Sequence, residues 1–214
     1  MRLILLGAPG SGKGTQAKLL SARFRLEHVG TGDLLREAIR LKTPQGRQAE
    51  PYVSTGRLVP DSLVNDMVHD RFRRDDRPER FVMDGYPRTL PQAASFDGVL
   101  RQQFLSLTSV VLVNVPDEAI VLRLAGRRNC PSCGATYHVP NHPPKRGDAC
   151  DRCNVALFQR DDDREETIRS RLRQYHRNNE GLVRYYLSQG LLHEVDGVGG
   201  TEEVFQRISK AVDG

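Results

Sequence analysis

Gly7-Ala8-Pro9-Gly10-Ser11-Gly12-Lys13-Gly14-Thr15 follows directly on the apolar run Leu3-Ile4-Leu5-Leu6. A glycine-rich turn that leaves a buried strand and opens a helix gathers several backbone N–H groups around one point. The positive end of the helix dipole favours negative charge there. The spacing from Gly7 to Gly12 and Lys13 is that of a P-loop, in which the lysine reaches the β- and γ-phosphates of a nucleotide and a hydroxyl faces Mg²⁺. Here the hydroxyl comes one place late, because Gly14 follows the lysine and Thr15 comes next. A flexible Gly/Ser turn would need neither the strand before nor the helix after. A dinucleotide fingerprint fails, since glycines at 10 and 12 require a third at 15, where Thr15 stands.

Downstream of the loop, Ala17, Leu20 and Phe24 recur at helical spacing and predict a helix over 14–24 packed by one face on a sheet. Leu26 to Val29, Phe81 to Met83, Val110 to Val115 and Leu191 to Val195 are short apolar or β-branched runs separated by helical patterns. One such helix carries Leu63, Val64, Met67, Val68 and Phe72 and opens after Pro60 at Asp61, which reads as a helix cap rather than a catalytic group. The last carries Val204, Phe205, Ile208, Ala211 and Val212, with Thr201 as its cap. A long pattern from Arg164 through Ile168, Leu172 and Tyr175 takes Asp163 as N-cap and Glu166 at the capping-box position. Strands alternating with helices specify an α/β fold, a parallel sheet covered on both faces. Ligands of such sheets lie at the carboxyl ends of the strands. The segments just past the first three strands, GAPGSGKGT, GTGD and DGYPR, are polar and special as that requires.

The 214 residues suffice for one well-packed core with inserted lobes. With 38% hydrophobic and 28% charged residues, the chain has the composition of a folded globular protein. No stretch approaches the ~18 apolar residues of a membrane span. The apolar run after Arg2 is too short for a signal sequence, so no membrane association and a cytoplasmic location are expected. The net charge of +5 points to polyanionic partners. Of 32 basic residues 27 are arginine, a skew that reads as genomic composition bias, so only arginines placed by a motif carry weight.

All four cysteines, Cys130, Cys133, Cys150 and Cys153, fall in one segment as two CxxC pairs with sixteen residues between them. That spacing matches a tetrathiolate zinc site, each pair forming one knuckle of a tetrahedron. Two disulfides or a redox CxxC are the alternatives, disfavoured by a cytosolic setting and by the doubled pair respectively. The segment from Arg127 to Asp163, with Pro140, Pro143 and Pro144, breaks the strand–helix rhythm and reads as an inserted lobe. His28, His69, His138, His142, His176 and His193 have no paired spacing and read as structural or surface residues. His138 and His142 lie close enough in sequence to the cysteines to be alternative zinc ligands.

What receives the phosphoryl group decides the reaction. A hydroxyl acceptor needs a positioned carboxylate base, whereas a phosphate acceptor is already ionised and needs dense positive charge. Arg36, Arg88, Arg123, Arg127, Arg160 and Arg171 sit beside strand ends, hinges or polar loops and could supply it. A nucleotide-dependent nucleic-acid binder is the reading of another class. It fares poorly because only Tyr137, Lys145 and Arg146 represent aromatic and basic residues between Cys133 and Cys150.

GAPGSGKGTQAKLL (7–20), TGDLLR (31–36), GRLVPD (56–61), DGYPRTLPQA (84–93), GRR (126–128) and the CxxC lobe followed by LFQRDDDREETIRSRL (157–172) resemble the adenylate kinase family in register over essentially the whole chain. The likeness is to its long bacterial form with a zinc lid. It implies a P-loop NTPase-type core over 1–29, 60–125 and 164–214, a nucleoside monophosphate lobe over 30–59 and a lid over 126–163, the two lobes swinging over the core. It implies reversible conversion of ATP and AMP into two ADP, with Mg²⁺ carried by the nucleotide and a structural Zn²⁺ on the four cysteines. A monomer that binds no nucleic acid is expected.

By the same resemblance Gly10, Ser11, Gly12, Lys13, Gly14 and Thr15 hold the donor phosphates, and Lys13 follows the phosphoryl group as it moves. Arg123 and Arg127 embrace the ATP phosphates, Thr136 and Tyr137 lie near ATP, and Gly199 lies near its adenine. Thr31, Arg36, Arg57, Leu58, Val59, Gly85, Tyr86, Pro87, Arg88 and Gln92 form the AMP pocket, with Arg36 and Arg88 on the acceptor phosphate. Arg160 and Arg171 reach the transferred group, and Asp84 orients Mg²⁺ waters, with Asp33 as a second candidate. Gly30 replaces a common Ser and Tyr86 a common Phe, neither at a charged position. Sister nucleoside monophosphate kinases share most of this phosphate chemistry, so the acceptor base is the part left open.

Overall fold

The computed structural model describes residues 1–139, 141–145 and 147–213. Pro140 and Arg146 of the inserted lobe lie outside them. The chain runs β1 (Arg2–Leu6), α1 (Lys13–Phe24), β2 (Glu27–Gly30), α2 (Thr31–Arg40), α3 (Pro44–Ser54), α4 (Asp61–Arg73), β3 (Phe81–Asp84), α5 (Leu90–Gln102), β4 (Ser109–Asn114) and α6 (Asp117–Ala125). The ribbon of β5 (Arg127–Asn129) and β6 (Thr136–His138) follows. A 3-10 turn at Asp161–Asp163, α7 (Glu165–Ser188), β7 (Leu192–Asp196) and α8 (Thr201–Asp213) complete the fold.

Five strands form a parallel sheet in the order β2-β3-β1-β4-β7. Period-2 alternation sends Leu3 and Leu5 of β1 to one face, where they pack with Ala17 and Leu20 of α1 and Val204, Phe205 and Ile208 of α8. Ile4 and Leu6 go to the other face, onto the layer built by α4, α5 and α7. Because both faces are covered, the central strands must be apolar throughout, which is why β1 reads as a run and not an alternation. On the second face the rings of Phe72, Phe81 and Phe96 meet edge to face with centroids 5.1–6.0 Å apart, and Tyr86 joins them at 5.5 Å from Phe96. Each fully buried side chain of this kind contributes about 1.5–3 kcal/mol of transfer free energy.

From central β1 the chain crosses to β2 on one side, and it later adds β4 on the other, so the order reverses at the carboxyl end of β1. A crevice opens at such a switch point. The P-loop occupies it.

Three helix starts differ from the local expectation. Asp61 is the first residue of α4 but makes no cap bond; its carboxylate instead accepts from Thr89 Oγ1 at 2.5 Å and Gln92 Nε2 at 2.8 Å. Asp163 does not cap α7, which begins at Glu165; it is fully buried and pairs with Arg127. At α8 the closing group is not Thr201 but Glu203, whose Oε2 accepts from Gly200 N–H at 2.9 Å. In the first two cases a long-range donor outcompetes the orphan N–H groups of the helix, which water can satisfy at an exposed end. Among the described residues no helix is long and apolar enough to cross a membrane.

Candidate active site

Gly12 caps α1 in the left-handed conformation, φ 96°. This turns the first N–H groups of the helix toward the crevice. Gly10, φ 87°, is pressed onto α6: a side-chain carbon there would lie 2.7 Å from Leu124 Cγ. Lys13 Nζ donates to Gly7 O and Ala8 O, both at 2.8 Å, so the ammonium stands at the end of β1. Enclosure, helped by Arg88 and Arg171 and opposed by Asp84, lowers its pKa to about 8. Asp84, at the end of β3, faces the same point. Burial pushes its carboxyl up, but His28, Lys13 and Arg88 outweigh that and keep it below the usual carboxylate range.

The loop floors a cleft of about 950 Å³. All the residues expected to hold the donor line it: Gly10 through Thr15, Arg123, Arg127, Thr136, Tyr137 and Gly199. So do Thr31, Asp33, Arg36, Arg57, Leu58, Val59, Asp84, Gly85, Pro87, Arg88, Gln92, Arg160 and Arg171. Tyr86 does not; it is fully buried beneath the wall, its hydroxyl 2.7 Å from Asn65 Oδ1. His28, His138 and His142, read as structural or surface residues, also line the cleft.

Across the cleft, Gly85 adopts φ 80°, which a side chain would strain, and a side-chain carbon there would sit tightly at 3.0 Å from Arg88 Nη2 and 3.1 Å from Thr31 Oγ1. Arg88 Nε donates to Gly85 O at 2.7 Å and Thr31 Oγ1 to the same carbonyl at 2.9 Å. Enclosure by the cleft walls, together with Arg171 and Arg36 and against Asp84, lowers the Arg88 pKa to about 10. Arg160 is likewise lowered to about 10, by burial first and then by Arg36 and Arg127. Arg88 and Arg160 themselves make no ion pair among the described residues, and a polyphosphate would supply their counter-charge.

Two arginines are already held by carboxylates from the 3-10 turn that precedes α7. Arg127 makes a bidentate pair with Asp163, at 2.7 and 2.5 Å, and Arg171 meets Asp162 at 2.8 Å. Leu58 N–H donates to Gln174 Oε1 at 3.0 Å, tying the segment after α3 to α7. Asp162 and Asp163 lie in the 157–172 stretch that carries the resemblance, which gives them no site role, and Gln174 carries no motif; only their partners across the chain reveal these bonds.

In the lobe, two knuckles repeat the same bonds. Cys130 N–H donates to Ala135 O and Cys150 N–H to Val155 O, each at 2.9 Å. Gly134 N–H donates to Cys130 O at 3.0 Å and Asn154 N–H to Cys150 O at 2.8 Å, both residues at positive φ. The four sulfurs lie within 4.8 Å of one another and form no disulfide. A tetrahedral zinc with bonds of about 2.3 Å needs sulfurs roughly 3.8 Å apart, so the donor set fits that ion. Tyr137 hydroxyl lies 3.4 Å from Cys150 Sγ and, with burial opposing, brings that thiol down to about 6, favouring the ligating thiolate. His138 and His142 are outside the sulfur cluster; the His142 ring stacks on Tyr137.

A family model described as adenylate kinase matches residues 5–191. An adenylate kinase of Lachnospira eligens is 45% identical over 210 residues, covering 98% of this chain and 99% of that protein. One of Clostridium novyi is 45% identical over 214 residues, covering 100% and 99%. One of Methanothrix thermoacetophila is 43% identical over 212 residues, covering 99% and 98%.

Proposed function

The chain belongs to the adenylate kinase family, and from that premise we propose that it transfers the γ-phosphoryl group of ATP to AMP, reversibly, giving two ADP. The observation that carries this is the gathering of Lys13, Arg36, Arg88, Arg123, Arg127, Arg160 and Arg171 around one cleft between the P-loop and the α2–α3 segment. Two polyanions brought together repel, and cations fixed in an enclosed site offset that repulsion without reorganising during the reaction.

In this reading the backbone of Gly10 to Thr15 cradles the donor phosphates, and Arg123 and Arg127 hold them from the α6 side. Arg36 and Arg88 hold the acceptor phosphate in line, while Thr31, Arg57, Leu58, Val59, Gly85 and Gln92 surround its nucleoside. An acceptor oxygen forms the new P–O bond as the bond to the β-phosphate breaks. No proton need be removed from an ionised acceptor. Lys13 moves with the transferred group, and Arg160 and Arg171 spread its charge. An ionised Asp84 beside the P-loop fits a hard cation's waters; Mg²⁺, when bound with the nucleotide, would neutralise phosphate charge. Closure of the lid (126–163) and the 30–59 lobe over the core would exclude water and prevent hydrolysis of ATP. One chain supplies every group named, so a monomer suffices. The unpaired thiols suit the reducing cytoplasm.

In ³¹P NMR with Mg-ATP and AMP, GMP, CMP or UMP, ADP is expected to form rapidly with AMP alone. Fast turnover with another monophosphate instead would move the acceptor assignment to a sister kinase, and no transfer to any would overturn the phosphotransfer itself. The four thiolates leave a zinc ion no open position for catalysis. Stripping metal with a chelator should therefore lower the thermal midpoint of the lid and leave turnover at low temperature. Complete loss of chemistry in a still-folded protein would refute a structural role.

A further inference from the structure

Gln92 lines the cleft yet is only 3% exposed, and its amide is held at both ends by the protein. Its Oε1 accepts from the Arg88 backbone N–H at 2.7 Å. Its Nε2 donates to Asp61 Oδ1 at 2.8 Å. The other carboxylate oxygen of Asp61 accepts from Thr89 Oγ1 at 2.5 Å, which fixes the carboxylate against the start of α5. The backbone at Gln92 is held from the same side: Tyr86 hydroxyl lies 3.2 Å from Gln92 O while bonding Asn65 on α4.

A backbone N–H can only donate and an ionised carboxylate can only accept. The two partners of Gln92 therefore permit one orientation of its amide. Turning it over would set NH₂ against N–H and C=O against a carboxylate in a nearly dry site, leaving both ends mismatched. Once both bonds are made, Nε2 retains one N–H and Oε1 one lone pair, a donor and an acceptor in fixed order. A 6-aminopurine offers a donor at its amino group and an acceptor at N1. A 6-oxopurine offers the reverse, an acceptor at the carbonyl and a donor at N1. An amide locked in one order can match only the first kind.

We infer that Asp61 is a specificity-determining positioning residue, which with the Arg88 N–H locks the Gln92 amide in the order that accepts a 6-aminopurine monophosphate and rejects a 6-oxopurine one. The inference rests on the acceptor reading proposed above, with Gln92 beside the base. Asp61 acts through Gln92 and does not touch substrate.

The test compares kcat and KM for AMP and for inosine monophosphate, the same purine with a 6-oxo group, in wild type and Asp61→Asn. The asparagine keeps the shape of the side chain but can donate as well as accept, so one of the two mismatches disappears. The ratio of kcat/KM for AMP over inosine monophosphate should fall about tenfold, with KM for ATP unchanged. A role only in holding α4 to α5 would weaken both acceptors alike. An unchanged ratio, or parallel losses for both purines, overturns the inference. Should Asp61→Asn not fold, Asp61→Ser removes the lock with a shorter oxygen-bearing side chain, and the same ratio decides. If wild type passes phosphoryl to neither purine, the phosphotransfer reading falls and takes this inference with it. That result is distinct from an AMP-active enzyme whose ratio does not move.

Discussion

Lys13→Ala should lower kcat by about two or more orders of magnitude, since it removes a charge aimed at the moving phosphoryl group. The side chain is held by two carbonyls of its own loop, Gly7 O and Ala8 O, which point the ammonium at the end of β1 before any ligand arrives. With its pKa brought from 10.5 to about 8, chiefly by enclosure, the free enzyme loses this charge as pH rises through that value. In wild type, kcat/KM for ATP should therefore decline above pH about 8. Bound phosphates favour the ammonium, so kcat should hold to higher pH. The stability sign is opposite. Between pH about 8 and 10.5 the unfolded chain binds more protons than the folded one at this group, so its contribution to the stability of the unliganded protein rises with pH in that window. Steady-state rates and thermal midpoints over pH 7–10, in wild type and variant, check all three. A variant with near wild-type turnover would remove Lys13 from the mechanism.

Arg88→Ala should cost a similar factor in kcat, about two or more orders of magnitude, with the donor KM little changed, because the proposed reaction puts Arg88 on the acceptor phosphate. Its guanidinium is anchored on Gly85 O at 2.7 Å, and neighbouring Arg171 and Arg36 add to the enclosure that brings its pKa to about 10. It stays charged at neutral pH, so the loss should be independent of pH from 6 to 8. Arg88→Lys should recover little, because an ammonium cannot hold a phosphate through two parallel bonds while a third N–H keeps the carbonyl. Initial rates with varied AMP at saturating ATP, and the converse, separate the two sides. An equal rise in both KM values with kcat intact would place Arg88 outside the acceptor site.

What was legible in the sequence follows from local chemistry. The α1 helix was expected over 14–24 and runs over Lys13–Phe24, because an apolar run, a glycine turn and helical spacing lie within two dozen consecutive residues. The cysteine cluster was legible for the same reason: each CxxC makes its own knuckle, and only the meeting of two knuckles is long-range. The family resemblance named the residues around the cleft, and all of them line it except Tyr86, whose ring packs in the core on the α4–α5–α7 face of the sheet.

The sequence by itself therefore determined the strand–helix alternation, the phosphate cradle and the tetrathiolate lobe, each written in spacing that a short segment can enforce. Only the tertiary structure decided what Asp61 and Asp163 do. Both stand at helix starts, where an aspartate caps as readily as it pairs, and nothing nearby in sequence separates the two outcomes. Folding brings Gln92 and Thr89 to Asp61, and Arg127 to Asp163. Where a carboxylate is buried, as at Asp163, or faces a buried donor, as Asp61 faces the Gln92 amide, that fixed donor outweighs a helix end that water can satisfy.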